Sequence, residues 1–179
     1  MNMQKYYKAE MDRLLTITTS IVSVILLAPA ALTAFFWYKN KFGQAGVSPG
    51  RPGAELLLLA ALLPATAYIT RAMAPLGYVI DDINLLIDRR IKPITIPLGE
   101  IKEVRPARDG ILKGSLRLMG TSGYYGHYGL FWKRGVGKYR AYATRLSELV
   151  EIKTEKTLFV LSPENPGEFI SSLGALLRR

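Results

Sequence analysis

The sequence predicts a membrane α + β protein: two membrane-spanning helices, then a small β-rich domain that ends in a helix. Three observations predict it. No charged residue interrupts the chain from Leu14 to Tyr38. A second apolar run lies between Glu55 and Arg71. From Leu76 onward, continuous apolar sequence gives way to short segments punctuated by turn residues.

A helix over Leu14 to Tyr38 would reach roughly 37 Å, more than the ~30 Å hydrocarbon core of a bilayer. Tilt absorbs the excess, as does placing Phe36, Trp37 and Tyr38 at the interface. The second run, Leu56 to Thr70, has only 15 uncharged residues, fewer than the ~20 a span needs. Seven of them are Leu or Ile, and each contributes about −0.5 kcal/mol to insertion. Arg71 near the helix end can snorkel to the headgroups, so the helix extends through Ala74 until Pro75 and Gly77 stop it. The competing reading of this run is a buried helix packed on the soluble domain.

Pro29 and Pro64 fall inside the runs and predict kinks. Small residues (Ala28, Ala30, Ala31 and Ala34; Ala60, Ala61, Ala65 and Ala67) let two backbones approach as a hairpin. A cleaved signal peptide competes for the first run: Lys5, Lys8 and Arg13 form a basic flank, and Ala28-Pro29-Ala30 has a small-x-small form. The apolar stretch outruns such a peptide, which favours a retained anchor. The expected organisation is an N-terminal segment 1–13, a first span 14–38, an external loop 39–54, a second span 55–74 and a folded domain 76–179.

Basic residues set the orientation. Lys5, Lys8, Arg13, Arg71, Arg89, Arg90 and Lys92 flank the hairpin outwards, against Lys39, Lys41 and Arg51 in the connecting loop. Seven against three puts both termini on the cytoplasmic side of the cell membrane, as a multi-pass protein. The chain has no cysteine and one histidine, His127. Disulfides, thiolate catalysis, Cys-based metal sites and multi-histidine zinc sites are thereby excluded, and no cofactor is expected.

In the folded domain, Tyr78-Val79-Ile80 and Asn84 to Ile87 flank Asp81-Asp82 as a hairpin. Ile94-Thr95-Ile96 is a short strand, and Pro97 and Gly99 force a turn. Ser115 to Leu118 and Lys138 to Thr144 alternate polar and apolar residues. Leu149 to Thr154 and Thr157 to Leu161 flank the turn Glu155-Lys156. About seven short strands suffice for a sandwich or a small barrel. The chain closes with a helix: Asn165 as N-cap, Pro166 in the first turn, Glu168 completing a capping box, and Arg178 and Arg179 at the negative end. Phe169, Ile170, Leu173, Leu176 and Leu177 share its apolar face.

These segments resemble the bacterial pleckstrin-homology (PH-like) membrane proteins. Tyr78-x-x-Asp81, Leu85-x-Ile87 and Ile96-Pro97-Leu98-x-x-Ile101-x-x-Val104 carry the resemblance early on. The glycine-aromatic run from Arg117 to Phe131, with Gly120, Gly123, Gly126 and Gly129, is its most specific part. Gly137-x-Tyr139-x-Ala141-Tyr142-x-Thr144 and Leu161 to Ile170 complete it. The resemblance implies a PH-like barrel of about seven antiparallel strands capped by the C-terminal helix, and no enzymatic activity.

Two clusters are candidate sites. Tyr124, Tyr125, His127 and Tyr128 stand between the glycines of a tight connection and could face a partner or the membrane interface; packing on the domain itself is the bland alternative. Arg117, Lys133, Arg134, Lys138 and Arg140 form the core of a basic cluster that could meet anionic headgroups, rather than being only a solvated face. Asp81-Asp82 stands in the first hairpin turn, where lipid-binding PH domains usually carry Lys and Arg. Gly135-Val136-Gly137-Lys138 fails as a nucleotide loop, because Trp132 and Tyr139 occupy positions that need Gly and Ser/Thr. No recognition motif for nucleic acid accompanies the net charge of +10. His127 has no identifiable catalytic partner in the sequence. The expected function is a membrane-anchored interaction or scaffolding module that self-associates or docks another membrane protein; binding of anionic membrane lipid is the alternative.

Overall fold

The computed structural model describes residues 4–42 and 54–178. The loop carrying Arg51, and Arg179, lie outside the described residues. The first elements are β1 (Lys5–Lys8), α1 (Arg13–Phe42) and α2 (Ala54–Met73). Then come β2 (Pro75–Ile80), β3 (Asn84–Arg89), β4 (Ile94–Pro97), a 3-10 turn (Leu98–Glu100) and β5 (Ile101–Pro106). They are followed by β6 (Leu116–Ser122), β7 (His127–Lys133), β8 (Gly137–Ala143), β9 (Val150–Thr154), β10 (Leu158–Leu161) and α3 (Pro166–Leu177).

Two sheets form, a four-stranded one in the order β1-β2-β3-β4 and a six-stranded one in the order β5-β9-β10-β8-β7-β6. This corrects the expectation of about seven antiparallel strands: β1, β5 and β7 are additional, and β10 runs parallel to β8. The parallel pair arises because β10 turns back from β9 and slots between it and β8. The main core lies between the sheets and α3, where Tyr78, Leu85, Ile87, Val150, Ile152, Leu161, Phe169 and Leu173 are fully buried. A second cluster, with Phe131, Tyr139, Ala141 and Val160, lies on the other face of the larger sheet under Ile111 and Leu112.

The predicted turns hold. The Asp81 carboxylate accepts the N–H groups of Ile83 (2.8 Å) and Asn84 (2.5 Å), which closes the β2–β3 turn. The turn between β9 and β10 is tied by the Thr154 hydroxyl, which accepts the Thr157 N–H and donates to the Thr157 carbonyl. The capping box of α3 does not form: Asn165 makes no side-chain cap bond. Glu168 instead faces β1, with its carboxylate 3.6 Å from the Lys5 ammonium and 3.4 Å from the Tyr7 hydroxyl. A tertiary partner has won over the local one.

Strand β1 is the feature least visible in the sequence. It precedes α1, yet pairs antiparallel with β2 in the register Tyr7↔Tyr78. Tyr7 is buried edge-on against Phe169, with ring centres 5.1 Å apart, and donates to Ser172 at 2.9 Å. The helical pair is therefore an insertion between two adjacent strands of one sheet.

Among the described residues, one helix is long and apolar enough to cross a bilayer: Arg13–Phe36, whose most apolar 18-residue stretch is only 11% buried. A core helix would be mostly buried. Leu14, Ile17, Ile21, Val24, Ile25 and Leu32 instead face outward. Helix α2 packs beside it, ends at Met73 just before Pro75, and also exposes Leu58, Leu62 and Ile69. Pro29 and Pro64 both lie inside their helices.

Tyr78 is the polar hub of the core. Its hydroxyl donates to the Tyr142 carbonyl at 2.6 Å and accepts the Ser162 N–H at 3.0 Å. Burial pushes its pKa up to about 12, and burial does the same for Tyr128. An unfolded tyrosine ionises near 10, so these groups stabilise the fold below pH 10, and that contribution is lost as pH rises from about 10 to 12. Ultraviolet titration should show two tyrosinates that appear only together with loss of the fold. Their appearance near pH 10 in a still-folded protein would contradict this.

Candidate membrane-proximal site

The β6–β7 connection is a four-residue turn, Gly123 to Gly126, closed by a bond from the Gly123 N–H to the Gly126 carbonyl. It does not project freely. The Thr18 hydroxyl of α1 donates to the Gly123 carbonyl (3.1 Å), and the Tyr125 N–H donates to the Thr19 hydroxyl (3.1 Å). The hydroxyls of Ser23 and Tyr124 are 3.3 Å apart. On the α2 side, Tyr128 donates to the Thr70 carbonyl, and the Arg71 guanidinium lies 5.9 Å from the Tyr125 ring centre. At the start of α1, the Asp12 carboxylate caps Leu15 N–H at 2.7 Å, while Thr144 donates to the Glu10 carbonyl.

The four predicted loop residues are thus brought together, against the chain's own helices. Tyr124 and Tyr125 are half-buried, and His127 and Tyr128 are buried. His127 does have a neighbour that sequence reasoning missed: its Nδ1 lies 2.8 Å from the Ser122 hydroxyl. The two residues are cross-strand partners in the β6–β7 ladder, so strand register alone accounts for the contact. No carboxylate hydrogen-bonds the imidazole among the described residues, and no triad results. Burial holds the His127 pKa below its ordinary value, partly offset by the charge of Asp12.

The basic cluster divides between two faces. Lys138 stands opposite Trp132, and Arg140 opposite Leu130 and Phe159, all on one face of the larger sheet. Arg117 pairs with Phe131 on the other face. Lys133 is occupied structurally, donating to the carbonyls of Gly110 (2.6 Å) and Lys113 (2.9 Å). Arg134 is exposed in the β7–β8 turn. Lys138 and Arg140 line an open groove of about 450 Å³ with Ile96, Pro97, Leu130 and Phe159.

Beyond that groove the larger sheet is uncovered. Strand β6 is its edge, and Leu116, Met119 and Trp132 are 60%, 72% and 42% exposed. An edge strand with exposed apolar side chains is a template for pairing with another chain.

Two sheets closed by a C-terminal helix, with an apolar helical insertion, define a PH-like β-sandwich. The chain belongs to the bacterial PH domain family, whose model matches residues 76–176, more than half of the sequence. Strand β1 lies outside the matched residues. Comparison with curated proteins and with solved structures finds no match.

Proposed function

We propose that this chain is a non-enzymatic PH-like interaction module, anchored in the cell membrane by α1 and α2, that docks a second copy or another membrane protein along β6. The observation that carries the reading is the open apolar edge formed by Leu116, Met119 and the neighbouring Trp132. Anchoring is supported by the exposed apolar surface of α1. The pairing of β1 with β2 supports two crossings, because it returns the chain after α2 to the side from which α1 departs. Twenty residues of α2 reach about 30 Å, one hydrocarbon thickness. Cleavage near Ala28 as a signal peptide would remove Tyr7 from the core. The excess of flanking Lys and Arg favours a cytoplasmic domain.

The absence of cysteine makes the test direct. A single Met119→Cys substitution, crosslinked in native membranes, should give a discrete adduct, while Ile83→Cys at the 70%-exposed β2–β3 turn should not. A lone monomer from Met119→Cys, or equal adducts from both, sinks the reading. A second reading, contact of the domain with anionic headgroups, is favoured by Lys138 and Arg140 flanking the exposed Trp132. Salt-sensitive flotation with anionic liposomes tests it, and salt-insensitive binding or none would remove it.

A further inference from the structure

We propose that the cleft between the helical hairpin and the domain binds the phosphate headgroup of one anionic phospholipid. This rests on the reading that α1 and α2 lie in the membrane, and it names a site separate from the basic cluster of the sheet. The cleft is open, about 450 Å³ in volume, and Lys8, Arg71 and Arg90 converge on it while no carboxylate lines it. Lys8 is paired with Glu10 at 2.9 Å. Neither Arg71 nor Arg90 has an ion pair among the described residues; Arg71 rests on the Tyr125 ring. The site therefore carries two uncompensated guanidinium groups, the side chains best suited to a phosphate.

Thr19 adds a hydroxyl whose oxygen accepts the Tyr125 N–H and whose proton has no acceptor among the described bonds. A phosphate oxygen would supply one. Position favours a lipid over a free anion. Thr19 lies six residues beyond Arg13, about 9 Å along the helix axis, so with Arg13 at the outer edge of a headgroup layer roughly 5–8 Å deep it stands at the inner boundary of that layer. Tyr125 touches both Thr19 and Arg71, so the two helices contribute at the same level. The face of α1 that lines the cleft through Thr16, Ser20 and Ser23 continues as Val24, Leu27 and Ala31, all exposed. Hydroxyls at the inner boundary of the headgroup layer followed by an apolar strip match a phosphate followed by acyl chain.

The full-length protein, delipidated in mild detergent, is titrated with phosphatidylglycerol or phosphatidylcholine, and bound lipid is read by native mass spectrometry. One phosphatidylglycerol per chain is expected, bound in preference to phosphatidylcholine. Each basic residue near a lipid phosphate is worth about a fivefold preference, so Arg71→Gln with Arg90→Gln should weaken binding about 25-fold. Lys113→Gln with Lys153→Gln, an equal loss of charge on exposed positions elsewhere, should leave it unchanged. Equal loss in both double variants, or equal binding of the two lipids, overturns the proposal. Full displacement by millimolar inorganic phosphate would make a soluble anion the ligand and overturn it too. Alkaline extraction of native membranes separates the two levels of failure. Release of the wild-type protein would remove the anchoring reading, and this proposal with it. A retained protein whose arginine variant binds lipid normally removes only the cleft.

Discussion

Gly129→Ala should destabilise the domain by about 3 kcal/mol or more, a large effect for the addition of a single carbon atom. Gly129 and Gly120 face each other across the β6–β7 ladder, with φ of 119° and 107°. A Cβ on Gly129 would lie 2.2 Å from the Met119 carbonyl oxygen and 2.8 Å from the Gly120 Cα. Both are backbone atoms, so no side-chain rotation relieves the overlap, and the two strands must part. The backbone angle adds its own strain, of order 1–3 kcal/mol for a residue with a side chain. Gly135→Ala separates the two contributions: its φ is also positive (79°), but nothing lies within 4 Å of the added carbon. It should cost only about 1 kcal/mol. Thermal unfolding in detergent compares the two, and equal midpoints would refute the account. The turn that holds Tyr125 against Thr19 follows Gly120 by three residues, so Gly129→Ala should also loosen the domain from the helices.

The pattern of successes and misses in reading the sequence follows from how local each signal is. The β2–β3 and β9–β10 turns were legible because Asp81 and Thr154 bond to backbone only two or three residues away. The apolar face of α3 was legible from its period, and Phe169 and Leu173 are its most buried members. Strand β7 was not, because Gly129 inside it reads as a turn until its cross-strand partner Gly120 is known. Strand β5 was not legible either, because Lys102, Glu103 and Arg105 interrupt its apolar residues. Its Arg105 in fact meets the fully buried Glu151 of β9 at 2.9 Å, from 46 residues away. The glycine-aromatic run could be singled out but not placed: nothing local says that Tyr125 bonds to Thr19, 106 residues earlier. Lys133 looked like a free cation because backbone carbonyls, its actual partners, are absent from any charge pattern. Composition marked the basic cluster, whereas the strand register that divides it between two faces is set by long-range pairing.

Tyr7→Ala should cost about 3–5 kcal/mol, the range for truncating a buried aromatic residue, although it lies 71 positions before its pairing partner Tyr78. Tyr7 is 5% exposed, stacks edge-on against Phe169 and bonds to Ser172. Removing the ring opens a cavity between the four-stranded sheet and α3 and unpins β1 from the helix. Tyr7→Phe keeps the packing and loses only the hydroxyl's contact, about 1 kcal/mol. Domains of this size are stable by about 5–15 kcal/mol, so the alanine variant should consume a large share of that margin and expose the domain to protease in native membranes. A chain beginning at Leu76 should be compromised further, since it also loses the β1–β2 ladder and the bond from Glu164 N–H to the Lys8 carbonyl. If that shortened domain resisted protease as well as the full chain, β1 would be dispensable and the pairing energetically idle. If it fails, the two helices are bracketed by strands that must stay in register. A shift of α1 against α2 would then strain the Tyr7↔Tyr78 pairing directly. Mechanical coupling between the hairpin and the sheet is the consequence, with β1 and the Tyr125 turn as its two points of attachment.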